Sequence, residues 1–185
     1  MNNDLVIADI LEHNASFVAE DKGSSFRAEV KPRKQLAIVT CMDTRLTTMF
    51  TAALGLKNGD ANIITVAGAT VGDAYGAVVR SLLVAVYELG VRDIMVVAHT
   101  ECGAQHMNCT GMSALFKNAG ISDESLRAVE AEGVSLHEWL EGFGELEGSV
   151  QKDVALLANH PLMPGYVNVH GFVIDTQTGE LTVVA

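Results

Sequence analysis

The stretch LAIVTCMDTR, residues 36–45, joins an apolar run to a polar, chemically reactive end. Leu36–Thr40 is short, continuous and mostly apolar, which is typical of a strand buried on both faces of a parallel sheet. Cys41 follows this run directly. A buried strand that ends in a thiol places that thiol at the carboxyl edge of the sheet, where open α/β folds bind their ligands.

The same order of strand, loop and helix continues along the chain. We predict further strands at 61–66, 94–98, 167–174 and 181–185, and helices at 4–20, 73–89 and 145–159. Another helix is predicted after the first strand, through Met49, Phe50, Ala53 and Leu54, with Gly55 as its end. Asp73 is the expected cap of the 73–89 helix, whose apolar face includes Tyr75, and Gly90 is its expected end. Strands that alternate with helices indicate parallel βαβ units. The simplest sheet then has the first strand between the second and the third, with a crevice where the strand order reverses.

Composition and charge exclude several classes of protein. Of 185 residues, 49% are hydrophobic and 19% charged, so we expect one folded domain over 1–185, with 1–34 as an N-terminal helical arm. The net charge of −11 lacks the basic footprint of a nucleic-acid binder. The longest apolar runs are too short to span a membrane. The start has no basic signal region, and three cysteines are an odd number, so we expect a cytoplasmic protein whose cysteines bind metal or catalyse.

The segment 22–34 carries five of the twelve basic residues. Two interpretations remain open for it. One is a solvated linker, and the other is an arm that docks on an acidic surface of a partner.

Three metal-ligating side chains follow two of the predicted strands. Cys41 ends the first strand, His99 ends the third, and Cys102 lies one short turn further on. Two thiolates and one imidazole are the donors of a zinc site that keeps its fourth position open. Gly103 would let the backbone come close to the metal. Taken singly, each residue is more often a small buried hydrophobe or a core histidine, but their joint placement favours zinc.

Asp43 and Arg45 form a second group beside this site. Arg45 lies near a helix N-terminus, where the macrodipole disfavours a cation, so Asp43 is its expected partner. Asp43 could be a fourth zinc ligand, or it could accept a hydrogen bond from water on the zinc. A structural cap or a surface ion pair is the plain alternative.

The pattern Cys41-x-Asp43-x-Arg45, followed by His99-x-x-Cys102-Gly103, resembles the β-class carbonic anhydrases. The resemblance implies an α/β fold, with a mainly parallel β-sheet flanked by helices and an antiparallel strand at the C-terminal end. It also implies a homodimer or higher oligomer in which the N-terminal helix embraces the partner subunit. Zinc-bound hydroxide would attack carbon dioxide to give bicarbonate and a proton.

The same resemblance assigns roles to individual residues. Asp43 and Arg45 would gate the site, with Asp43 on zinc in a closed form, and Gly103 would lie near the substrate. One departure stands out, because Thr65-Val66 replaces the Arg-Asn that the family usually carries there.

Three other functions remain open. Close relatives with the same ligands hydrolyse carbon disulfide or carbonyl sulfide. A non-catalytic zinc-binding regulatory protein is a rival from another class, against which the open fourth position and the Asp43–Arg45 pair speak. A nucleotide binder is weakly supported, since the 67–72 loop lacks the spacing of the dinucleotide fingerprint.

Overall fold

The computed structural model describes residues 3–185 and contains one five-stranded sheet with flanking helices. Its strands are β1 (Leu36–Cys41), β2 (Ala61–Val66), β3 (Asp93–His99), β4 (Asn168–Ile174) and β5 (Leu181–Val183). In space they run β2-β1-β3-β4-β5; the first four are parallel, and β5 is antiparallel to β4. The predicted fold class is therefore confirmed, including the position of β1 between β2 and β3.

The two central strands form the middle of the core. Every residue of β1 from Ala37 to Cys41 is buried, and so is every residue of β3 from Val96 to His99. Thr40 lies opposite Val97 in the ladder, and its hydroxyl donates a 3.0 Å hydrogen bond to the Val97 carbonyl. Since both strands point the same way, their carboxyl ends and the residues that follow meet at one edge of the sheet.

Three helices contribute buried side chains to this core: α2 (Leu46–Ala53), α3 (Ala77–Tyr87) and α7 (Leu146–Ala158). The predicted start of α3 at Asp73 is wrong by four residues. Asp73 instead accepts a 2.8 Å hydrogen bond from the Tyr75 backbone N–H, which closes a turn that competes with the helix. Tyr75 consequently lies outside α3 and is 80% exposed. The helix ends at Tyr87, two residues before its predicted end at 89, and Gly90, with φ of +75°, follows in the left-handed conformation.

A buried carboxylate on α7 holds the loop that leads into α3. Asp153 accepts hydrogen bonds from the backbone N–H groups of Val71 and Gly72, at 2.9 and 3.4 Å. Burial raises the pKa of Asp153 above its ordinary value, and the two N–H groups oppose that shift. Asp153 therefore holds the loop between β2 and α3 from a different element, the helix α7.

Residues 109–145 form the helices α4 (Cys109–Asn118), α5 (Asp123–Ala131) and α6 (Leu136–Trp139). Ser122 and Ser135 cap α5 and α6, since their hydroxyl groups accept hydrogen bonds from the backbone N–H groups of Ser125 and Glu138. No side chain of α4 or α5 is buried, and Leu136 and Leu140 are the buried hydrophobic residues of this stretch. This part of the chain therefore adds little to the core.

Helix α1 (Asn3–Ala19) lies outside the core, and a short 3₁₀ helix (Lys22–Phe26) follows it. Apolar side chains of α1 that face solvent are Leu5, Val6, Ile7, Ile10, Leu11 and Val18. Further along the arm, Arg33 forms a 2.8 Å ion pair with Asp60, just before β2. Despite its apolar side chains, α1 does not qualify as a membrane span, nor does any other helix in the described part of the chain.

Candidate metal centre

The carboxyl ends of β1 and β3 bring three predicted ligands together. The ligand atoms of Cys41, His99 and Cys102 all lie within 4.8 Å of one another, and the two sulfur atoms are 3.9 Å apart. All three side chains are buried, and neither thiol forms a disulfide. Two thiols and an imidazole at this spacing could hold one metal ion.

The imidazole of His99 is oriented toward the two sulfur atoms by its own neighbour. Its Nδ1 lies 2.8 Å from the Thr100 carbonyl; since a carbonyl only accepts, Nδ1 carries the proton and Nε2 keeps its lone pair. Nε2 is buried and finds no hydrogen-bond partner among the residues that the structure describes. Buried polar atoms are nearly always paired, so an unpaired nitrogen beside two thiols fits a metal ligand.

The turn between β4 and β5 fixes the position of Thr100. The Thr100 backbone N–H donates to the Ile174 carbonyl at 3.1 Å, and its hydroxyl accepts from the Thr176 backbone N–H at 3.0 Å. The carbonyl that orients His99 is thus held by residues more than 70 positions away in the chain. The sequence pattern did not identify this contact.

Burial also acts on the thiols. It raises the pKa of Cys102, and the neighbouring Cys41 thiol raises it further, because two thiolates at this distance repel each other. A cation between the two sulfur atoms would oppose both effects and favour the thiolates. The two thiols are therefore better suited to binding a divalent cation as thiolates than to carrying two negative charges without one.

Asp43 and Arg45 are paired as expected, beside the cluster. The Asp43 carboxylate accepts from Nε of Arg45 at 3.0 Å and from its terminal nitrogen at 2.9 Å, and it also accepts from the Arg45 backbone N–H. These bonds to Arg45 lower the pKa of Asp43 to about 2. Oδ2 of Asp43 lies 3.8 Å from His99 Nε2, so one carboxylate oxygen faces both the guanidinium and the candidate metal position.

Glu101 is a member of the site that the sequence analysis missed. Its carboxylate accepts from Arg45 at 3.2 Å, and its backbone carbonyl accepts from the same guanidinium at 3.1 Å. The backbone at Glu101 is left-handed, with φ of +57°, which is uncommon for a residue other than glycine. The only signal in the sequence was a charged residue between His99 and Cys102.

A cavity of about 270 Å³ opens next to the cluster, between β1, β2 and α2. Cys41 and Asp43 form part of its wall, and most of the other lining side chains are apolar or threonine, among them Leu46, Phe50, Ile63 and Thr65. Thr65, where the sequence departs from the pattern that it resembles, is uncharged. The cavity wall therefore lacks a fixed positive charge at that position.

The remaining predicted residues lie around the cluster rather than in it. Gly103 begins a short 3₁₀ helix, and a Cβ atom there would meet no heavy atom within 4 Å, so nothing in the described chain requires glycine. Cys109 begins α4, outside the group of three ligands. Of the three cysteines, two therefore belong to the candidate metal centre.

Comparison with known proteins points to one family. The model of the carbonic anhydrase family matches residues 36–181. The chain is 45% identical to the Bacillus subtilis protein named "Putative carbonic anhydrase YvdA", over 100% of this chain and 93% of the relative. It is 30% identical to a carbon disulfide hydrolase of Saccharolobus solfataricus, over 80% of this chain and 76% of the relative. The crystal structure of β-carbonic anhydrase isoform I of Trichomonas vaginalis superposes with a TM-score of 0.85 at 29% identity, covering 100% of this chain and 97% of that one.

Proposed function

We propose that this chain, which belongs to the β-carbonic anhydrase family, is an enzyme of carbon dioxide hydration. It would catalyse the reversible conversion of carbon dioxide and water to bicarbonate and a proton. We further propose that it uses one zinc ion held by Cys41, His99 and Cys102. The observation that carries this proposal is the buried Nε2 of His99, which has no hydrogen-bond partner in the described part of the chain and lies within 4.8 Å of both sulfur atoms. Bound zinc supplies the ionisation of water near neutral pH, which yields the nucleophile that hydration needs.

The cavity beside Cys41 supports a small, neutral and apolar substrate. Its side chains Leu46, Phe50 and Ile63 offer dispersion contacts to a linear molecule that has no net dipole. Charged competitors find no fixed cation at Thr65 to hold them. We therefore assign this cavity to the approach of carbon dioxide, with Gly103 on the side of the ligand cluster that follows β3.

Asp43 and Arg45 are proposed to orient the reacting water. An ionised Asp43 can only accept hydrogen bonds, so a water that bonds to it turns one hydrogen toward the carboxylate, which leaves a lone pair available for the carbon atom. Arg45 keeps Asp43 ionised and in place. In a closed form, Asp43 would instead be the fourth ligand, since its Oδ2 already faces His99 Nε2 at 3.8 Å.

Carbon disulfide or carbonyl sulfide hydrolysis is the second candidate, favoured by the 30% identity to a carbon disulfide hydrolase. Both substrates are linear and apolar like carbon dioxide, so the cavity does not separate them. A non-catalytic zinc-binding regulatory protein is the third candidate.

One set of measurements on the purified protein separates the three. We expect one zinc per chain and rapid carbon dioxide hydration in stopped flow, with little sulfide released from carbon disulfide. Sulfide release without hydration would assign the second function. A full zinc load with neither activity would assign the third, and hydration that survives complete zinc removal would refute the metal proposal.

We also propose a homodimer or higher oligomer, built partly by the arm of residues 1–34. The support is the row of exposed apolar side chains on α1, which the rest of the described chain leaves uncovered. A cytoplasmic location, without nucleic-acid or membrane partners, agrees with the acidic charge and the three free cysteines. Sedimentation of the full chain against a variant lacking residues 1–20 tests the oligomer, and an active full-length monomer would contradict it.

A further inference from the structure

Arg45 is held from two sides by two different residues. On one side, Asp43 accepts hydrogen bonds from the guanidinium at 2.9 and 3.0 Å. On the other side, Glu101 accepts one at its carboxylate and one at its backbone carbonyl, at 3.2 and 3.1 Å. These are the two carboxylates that form ion pairs with Arg45 among the described residues.

The two partners differ in their distance from the ligands. Oδ2 of Asp43 lies 3.8 Å from His99 Nε2, so a small rotation turns it from the guanidinium toward the candidate metal position. Glu101 does not belong to the cluster, and its side chain is 65% exposed. If Asp43 turned inward, Arg45 would lose its bonds to Asp43 but keep both acceptors of Glu101.

The backbone of Glu101 supports the same conclusion. Its left-handed conformation lies between two candidate ligands and directs the Glu101 carbonyl at the guanidinium. Such conformations persist in residues other than glycine when the surrounding contacts determine them. The hydrogen bond from Arg45 to the Glu101 carbonyl is one such contact.

We propose that Glu101 is a positioning residue that holds Arg45 independently of Asp43, and so makes it easier for Asp43 to turn toward the metal. This inference rests on the proposed metal centre and deepens its regulation. With Glu101 in place, the guanidinium stays fixed and paired when Asp43 leaves it. Without Glu101, Asp43 is the one carboxylate among the described residues that is left to pair with Arg45, and the equilibrium shifts toward the Asp43–Arg45 pair.

The test uses the full chain loaded with Co²⁺ in place of zinc, because the visible absorption of Co²⁺ reports which ligands it holds. Asp43→Asn gives the reference spectrum of a metal without the aspartate. We expect Glu101→Gln to move the wild-type spectrum toward this reference, with roughly a two- to fivefold change in the ratio of the two forms, the range of an exposed ion pair.

Two further variants separate contact from charge. Glu101→Asp keeps the charge but shortens the side chain by one methylene group, so its carboxylate no longer reaches Arg45, and we expect a shift in the same direction. Glu88→Gln removes one exposed carboxylate at the end of α3, and we expect no shift. Cobalt content per chain, measured for every variant, verifies that the site is intact.

Three outcomes would overturn the role of Glu101. They are an unchanged spectrum in Glu101→Gln, a shift in Glu101→Gln that Glu101→Asp does not share, and a wild-type spectrum already identical to that of Asp43→Asn. Carbon dioxide hydration by the wild-type zinc protein is measured separately. If hydration fails, the proposed activity fails, while the cobalt spectra still decide on Glu101.

Discussion

The central strands and the outlying helices contain the same residue types in opposite surroundings. Ile38 on β1 is fully buried, whereas Ile10 on α1 is 56% exposed. Cys102 follows β3 and is buried against Cys41, whereas Cys109 begins α4 and is half-buried. The same residue type is therefore buried on or beside β1 and β3 and more exposed on α1 and α4. Its role in this protein depends on that position more than on its type.

The largest difference is expected between the two cysteines. Cys102→Ala removes one of the three proposed ligands, so metal affinity and activity should fall by roughly 100-fold or more, since even outer-sphere partners are worth about 10–100-fold. Cys109→Ala should leave both within about twofold of wild type. Metal content per chain and the rate of carbon dioxide hydration, measured for both variants, test this difference. One tightly held zinc per chain in Cys102→Ala would exclude this cysteine from the ligand set.

The second contrast is between the two isoleucines. Ile38→Ala leaves a cavity in the buried centre of β1 and should lower the free energy of unfolding by about 2–5 kcal/mol. Ile10→Ala should change the unfolding of an isolated chain by less than about 0.5 kcal/mol, yet weaken self-association, because its side chain would pack against a second copy. Urea unfolding and sedimentation velocity measure the two effects. Equal costs in a monomer would contradict the contrast.

The third and smallest contrast is between two aspartates. Asp60 is buried, and the Lys57 backbone N–H and Arg33 lower its pKa; Asp123 is exposed, and Lys117 lowers its pKa. In both cases the folded state prefers the ionised form, so the added stability is present above the unfolded pKa and is lost as the pH falls through the folded pKa. Asp60→Asn should therefore be destabilising at pH 7, and its difference from wild type should shrink as the pH falls below the ordinary aspartate value of 3.8.

Salt separates the same two aspartates. The exposed Asp123–Lys117 pair should contribute nothing in about 0.5 M NaCl, where screening acts within a few ångströms. The contribution of Asp60 should persist, because it is a buried acceptor with a backbone N–H partner. Chemical unfolding at two pH values and two salt concentrations measures all four cases, and a salt-sensitive Asp60 would reverse the assignment.

Local patterns predicted most of the sheet because each strand carries its own signal. The apolar runs at 36–40 and 94–98 are continuous, as strands buried on both faces require, and the 61–66 strand matches the structure at both ends. The start of α3 was predicted wrongly, since Asp73 can cap a helix or close a turn, and the contacts that Asp153 and His160 make to this loop come from a distant part of the chain. Strand β5 ends at Val183, two residues before its predicted end.

The predicted ligands Cys41, His99 and Cys102 come together because strand ends carry them to one edge. The contacts that orient them were not predictable in the same way. Glu101 meets Arg45 across 56 positions and Thr100 meets Thr176 across 76, and neither pairing leaves a periodic trace in the sequence. Such contacts form only once the strands have packed together. The sequence pattern predicts the order of the strands but not which side chains meet.

The link between Thr100 and Thr176 has a consequence for how the protein is made. A ribosome delivers residue 41 long before residue 176, so the thiols and the imidazole leave the exit tunnel well before the turn that fixes the carbonyl behind His99. During that interval the nascent chain carries all three donors, but no β4–β5 turn constrains the imidazole ring. We therefore expect that synthesis of this protein precedes tight metal capture, and that a stalled chain ending before β4 would exchange its ion far faster than the released protein.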